Sequence, residues 1–148
     1  MVTHTPSGRT AMLVQSNDLP SAVSGVASDD KFVLVAMSGG KLQGLTTKQA
    51  RSCIEQGASY ICAWGSDCED LEETFDYAAF LPELGGELPF TLMTTAHRNQ
   101  PLEEALDFAF RCAQPPDDLP FPLSRVVLVA DSDELLNQCT KWIASENS

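Results

Sequence analysis

The sequence predicts a three-layer α/β domain of Rossmann-like or flavodoxin-like type, built on a parallel sheet of about four strands. Three observations carry that prediction. Four short apolar runs, residues 32–37, 60–64, 90–96 and 126–130, lack polar alternation, as strands buried on both faces do. Each run is followed by a helix-start signal and an apolar stripe at helical spacing. The chain has 148 residues, 43% of them hydrophobic. That length suits one domain able to bury roughly 70% of the surface its unfolded chain exposes.

Taken in order, residues 11–15 are expected to add an N-terminal edge strand that turns at 17–20, and residues 21–30 to form a surface connection. The organisation is therefore an N-terminal extension over residues 1–30 and a single α/β domain over 31–148. After the first run, Thr46 with Gln49 three residues later has the capping-box pattern, and Ala50, Cys53, Ile54 and Gly57 recur at helical spacing. After the second, Ser66 and Glu69 have the same pattern and lead into Leu71, Phe75, Ala78 and Ala79. After the third, Pro101 suits a first helical turn ahead of Leu102, Ala105, Leu106, Ala109 and Ala113. After the fourth, Asp131 and Glu134 bracket a helix start, with Leu135, Cys139 and Trp142 or Ile143 facing inward. Gly85 and Gly86 break the chain before the third strand, and Pro115, Pro116, Pro120 and Pro122 keep the approach to the fourth extended. Numbering the four runs as strands 1–4, the expected order is 2-1-3-4. That order places a ligand crevice beyond the C-terminal ends of the first and third strands.

Charge narrows the function classes. Nine Lys and Arg stand against 21 Asp and Glu, a formal charge of −12 and a pI near 4.3. Direct binding of nucleic-acid phosphates is excluded, because that affinity comes from clustered cations that release counterions. No stretch approaches the ~20 apolar residues that cross a bilayer. Residues 1–20 lack the basic, long-apolar pattern of a secretory leader, so the expected location is the cytoplasm. Five cysteines are an odd count, and Cys53, Cys62, Cys112 and Cys139 fall in apolar runs or on apolar helix faces. They are read as reduced core thiols.

Candidate chemistry gathers where the strands end. A ligand site is expected among Ser38, Gly39, Gly40, Lys41, Trp64, Asp67, Thr95, His97 and Arg98. Gly39 and Gly44 have P-loop spacing, but Leu45 stands where that motif needs lysine, which removes the nucleotide-triphosphatase reading. The Ser-Gly-Gly turn beside Lys41 is either a tight turn or a set of backbone amides that holds a small anion. Asp67 and Asp131 are expected to cap the second and fourth helices, which leaves the other two helix starts, near Lys41, His97 and Arg98, to an anionic ligand. The catalytic candidates are His97, Cys68 and Asp131. His97 would act as a base oriented by Asp131 or Asp67, or would pair with Cys68 as a thiol-imidazole dyad, against the plainer reading of a hydrogen-bonded surface histidine. No cofactor and no metal are expected, a metal at Asp67, His97 and Asp131 being the minor alternative. The acidic face Glu69, Asp70, Glu72, Glu73 and Asp76 is either solvated or a docking surface for a basic partner.

Two stretches carry a resemblance. Cys62-Ala63-Trp64-Gly65-Ser66-Asp67-Cys68-Glu69, and Thr94-Thr95-Ala96-His97 followed by Leu102-Glu103-Glu104-Ala105-Leu106, are similar to a family of small bacterial proteins of unknown function. The similarity spans roughly residues 11–114. It implies a Rossmann-like fold and a bacterial cytoplasmic protein, and it singles out Trp64, Asp67, Cys68, Thr95 and His97. Members of that family often carry an aromatic residue before the histidine, where this chain has Ala96. The resemblance supplies no mechanism.

The expected function is a binding or interaction module that receives a protein partner or a small anionic ligand at the C-terminal edge of the sheet. The alternatives are a small hydrolase or transferase using His97 with Cys68 or Asp131, and an acidic protein that docks a basic partner. The oligomeric state is left open.

Overall fold

Uninterrupted apolar runs become the interior strands of a six-stranded sheet in the computed structural model, which describes residues 2–4 and 7–147. Met1, Thr5 and Pro6 of the expected extension, and Ser148, lie outside the described residues. The strands are β1 (Val2–His4), β2 (Thr10–Gln15), β3 (Lys31–Ser38), β4 (Ala58–Gly65), β5 (Met93–His97) and β6 (Leu123–Ala130), in the spatial order β1-β2-β6-β3-β4-β5. β1 runs antiparallel to β2, and the other five strands are parallel.

The expected order 2-1-3-4 is corrected. The second run lies beside the first and the third lies outside the second, while the fourth pairs with the first on its other side. The reason is apolarity. Residues 126–130 are fully buried and need neighbours on both sides, whereas β5 carries Thr94 and Thr95 and tolerates the sheet edge. The sheet also has five parallel strands, because residues 10–15 form a full member paired to β1 and β6 rather than a loose edge.

Helices cover both faces. α1 (Leu19–Val26), α2 (Thr47–Glu55) and α3 (Cys68–Ala78) pack Leu19, Val23, Ile54, Leu71 and Phe75 on Phe32, Leu34, Ile61, Val127 and Val129. α4 (Leu102–Asp107) and α5 (Asp133–Glu146) pack Leu102, Leu106, Leu135, Cys139 and Ile143 on the alternate residues Val33, Val35, Tyr60, Cys62, Val126 and Leu128. Each fully buried Leu, Ile, Val or Phe contributes about 1.5–3 kcal/mol relative to exposure. The steps β2 to β3, β4 and β5 move in one direction with α1–α3 on one face. The return from β5 to β6 crosses on the other face, which keeps the crossovers right-handed. Neighbouring strands therefore send their connections to opposite faces on both sides of β6 and again between β4 and β5, but not between β3 and β5, which are not adjacent.

Local signals account for most boundaries. Thr46 caps α2 with the reciprocal Gln49 contact, both bonds at 3.0–3.1 Å. The connection expected over 21–30 is corrected: Asp18 accepts from the Ser21 amide at 3.2 Å, Pro20 lies in the first turn, and α1 forms with Leu19, Ala22 and Val23 buried. Beyond α4 the helix widens into a π turn over Phe108–Cys112, whose longer turn rotates Cys112 outward. Cys112 is thus exposed rather than a core thiol, while Cys53, Cys62, Cys68 and Cys139 are buried. No described helix is long and apolar enough to cross a membrane.

Candidate functional site

Beside the end of β6, β3 ends in Ser38 and turns through Gly39, Gly40 and Lys41, with Gly40 at φ +95°. The amides of that turn converge as an anion nest does. The chain fills it itself. Asp131, 4% exposed at the end of β6, accepts from the Gly39 amide at 2.8 Å and from the Lys41 amide at 2.7 Å. The Ser38 hydroxyl donates to Asp67 Oδ2 at 2.9 Å and lies 3.5 Å from Asp131 Oδ2. A side chain at Gly39 would bring a Cβ to 3.2 Å from Asp131 Oδ1, so glycine keeps this approach open.

These bonds correct the expected caps. The Asp67 carboxylate reaches across to Ser38 and makes no capping bond to α3. α5 is capped instead by Ser132, whose hydroxyl accepts from the Leu135 amide at 3.3 Å. Both aspartates end strands inside a sheet edge, so the nearest unpaired amides and hydroxyls belong to the neighbouring strand's loop rather than to their own helix.

A separate cavity of about 390 Å³ opens beside the ends of β4 and β5, against the first turn of α3. Trp64, Ser66, Cys68, Glu69, Asp70, His97 and Arg98 line it, with Asn99 and Gln100 from the following turn. Gly65 separates it from the Ser38 turn. Gly65 has φ +105°, and a Cβ there would meet the Ser38 carbonyl oxygen at 1.9 Å. Trp64 also borders a second cleft, of about 450 Å³, that contains Lys41, Ser132, Glu134 and Gln138.

His97 is 6% exposed and its ring is fully engaged. Nδ1 lies 3.0 Å from Gln100 Oε1, and Nε2 lies 2.9 Å from the Thr95 hydroxyl. The amide oxygen only accepts, so Nδ1 donates to it, and the Thr95 hydroxyl occupies Nε2. The ring packs on Phe108, the first residue of the π turn, with centroids 5.1 Å apart. Gln100 also ties down the aromatic wall, since its carbonyl accepts from the Trp64 indole at 2.8 Å. Gln100 precedes Pro101, which bars it from the helix and lets it turn back towards His97.

The catalytic candidates do not assemble as a unit. His97 on β5 and Asp131 after β6 are separated by two strands, on the order of 14 Å across the sheet. Asp131 is bound to β3 amides and Ser38, and the two His97 nitrogens are bound to Thr95 and Gln100. Cys68 borders the cavity with His97 but is 2% exposed. Burial, then the charge of Glu69, pushes its thiol above the ordinary value, outweighing the backbone amides of Glu69 and Cys68 that act the other way. Asp67, His97 and Asp131 do not converge on one point, and among the described residues no three His, Cys, Asp or Glu side chains are placed to hold a metal ion.

Of the expected ligand residues, Gly40 and Asp67 belong to the Asp131-filled turn and its surroundings, while Ser38, Gly39 and Lys41 belong to that turn and also line the second cleft. Trp64, Thr95, His97 and Arg98 belong to the open cavity or its support. Asn99 and Gln100 line the cavity, and Phe108 supports it through His97, without being among the expected residues, while Glu69 is expected only at the start and on the acidic face of its helix. The one available signal was Gln100 before proline, three residues after the histidine.

A search of curated proteins finds no match to this chain. A family described as "Domain of unknown function (DUF7684)" matches residues 10–146. That span runs from the first residue of β2 to the last residue of α5 and includes both the filled turn and the open cavity. The chain therefore belongs to the DUF7684 family.

Proposed function

We propose that this Rossmann-like domain is a binding module of the cytoplasm that receives its ligand or partner at the C-terminal edge of the sheet, in the cavity beside Trp64. What supports the reading is the state of the reactive groups. A nucleophile must be accessible and ionisable, yet the Cys68 thiol is buried and held above its ordinary pKa. A general base needs a nitrogen facing substrate, yet both His97 nitrogens bond within the chain. His97 instead fixes the turn that carries Gln100, which in turn fixes the indole of Trp64. That leaves an open volume with a positioned aromatic wall, a geometry suited to recognition.

The test is a ¹H–¹⁵N spectrum of the protein recorded against mixtures of anionic, neutral and cationic small molecules at millimolar concentration. Trp64 and Trp142 supply two indole signals, and Trp142 packs far from this edge, on Phe110 and Arg111. Binding at the proposed place shifts the Trp64 indole and the Asn99 and Gln100 amides while leaving Trp142 in position. If no mixture moves the Trp64 signal, the reading is wrong.

A further inference from the structure

We infer that the Trp64 cavity recognises a cationic side chain, an arginine on an exposed basic segment of a partner protein; this rests on the reading of the cavity as the binding site. The cavity presents two carboxylates and an indole to solvent. Glu69 already holds a guanidinium: Arg98 Nη1 lies 2.8 Å from its Oε1, with both side chains more than half exposed. Asp70 makes no ion pair among the described residues. Arg98 reaches Glu69 from a turn whose next residue, Asn99, sits at φ 55°, a left-handed conformation that costs a non-glycine residue energy. The pair is thus an intramolecular form of the proposed contact, and an exposed pair of this kind is worth little.

A partner arginine that displaces Arg98 gains Glu69, with Asp70 one residue further along α3 adding its negative charge to the same cavity, and lays its guanidinium and alkyl stem against Trp64. The cleft on the other side of Trp64, which holds both Glu134 and Lys41, gives a second residue of a peptide a place that a small cation cannot use. An anion meets the opposite situation. It faces Glu69 and Asp70, the arginine in the lining, Arg98, is already paired with Glu69, and the amides suited to an anion are bound to Asp131. A protein of net charge −12 also draws a basic partner and repels an acidic one over distance.

The experiment titrates acetyl-Arg-Arg-Arg-amide, argininamide, spermidine and inorganic phosphate into the labelled protein, following the Trp64 indole at low salt. The peptide is expected to shift that signal, and more tightly than argininamide or spermidine. Arg98→Ala should tighten peptide binding by about two- to fivefold, the release of one exposed ion pair. Glu69→Gln should weaken it by about tenfold, and Glu73→Gln, on the same helix outside the cavity, should leave it unchanged. Weaker peptide binding in Arg98→Ala overturns the inference, as does equal loss in Glu69→Gln and Glu73→Gln. A Trp64 shift with phosphate alone, or with spermidine as tight as the peptide, overturns it and leaves the binding-site reading standing. Silence of Trp64 towards every probe overturns both.

Discussion

Two openings at the same edge of one sheet have opposite fates in this protein. Between β3 and β6, whose following helices leave to opposite faces and where backbone amides converge, the chain's own Asp131 carboxylate takes the place of a ligand. Beside β4 and β5, whose following helices also leave to opposite faces, about 390 Å³ stays open against an indole. The comparison teaches that diverging connections supply an edge crevice, and that the chain's own side chains decide whether it stays vacant. An intramolecular carboxylate binds without the translational entropy cost that a free anion bears, so a dilute anion competes poorly for the same amides.

The largest expected effect comes from the partition between the two openings. Gly65→Ala places a Cβ 1.9 Å from the Ser38 carbonyl at a φ of +105°, with backbone rather than a flexible side chain in the way. Urea denaturation should show a loss of more than about 3 kcal/mol, and a loss under about 1 kcal/mol would mean that the turn and β4 move independently.

Asp131→Ala sharpens the comparison from the filled side. It leaves the Gly39 and Lys41 amides without their acceptor and should cost about 2–4 kcal/mol. Formate or acetate at tens of millimolar should then raise the melting temperature of the variant and not that of the wild type. Rescue by the small carboxylate reports that the turn is an anion nest; identical responses from both proteins would show that it is only a tight turn.

The smallest effect lies beside the open cavity. Glu72 faces Asp76, Glu69 and the edge strand; burial first, then those two carboxylates, raises its pKa above 4.5, against the Ala96 amide and His97. The folded state then binds the Glu72 proton more tightly than the unfolded state does, so this residue lowers stability as pH rises from the unfolded value through the folded one. Glu72→Gln should raise the melting temperature at pH 7 and lose that advantage below pH 4. A variant less stable than wild type at pH 7 would show that the Ala96 contact outweighs the repulsion.

Much of the fold was legible in local sequence. The capping pair Thr46 and Gln49, Pro101 at the start of α4, and the runs at 32–37, 60–64 and 126–130 each point to the element that forms. The Asp18-Leu19-Pro20 start of α1 is equally local but resembles a turn, because the helix that follows is short and carries few large apolar residues. The site was less legible. Asp67 and Asp131 have the spacing of helix caps, and nothing in their neighbourhood along the chain tells that their partners are Ser38, Gly39 and Lys41, 29 to 93 residues away. Cys112 looks inward on a 3.6-residue period and turns outward because the π turn breaks that period.

By itself, then, the sequence determined which segments become strands and helices and that the sheet runs parallel between two helical layers, because hydrophobic period and capping chemistry act over a few residues. Tertiary structure alone decided which strands are neighbours, and with that which edge opening Asp131 fills and which is left to Trp64. Pairing joins backbone groups whose donors and acceptors are the same at every residue, so the choice among neighbours falls to the packing of the whole sheet.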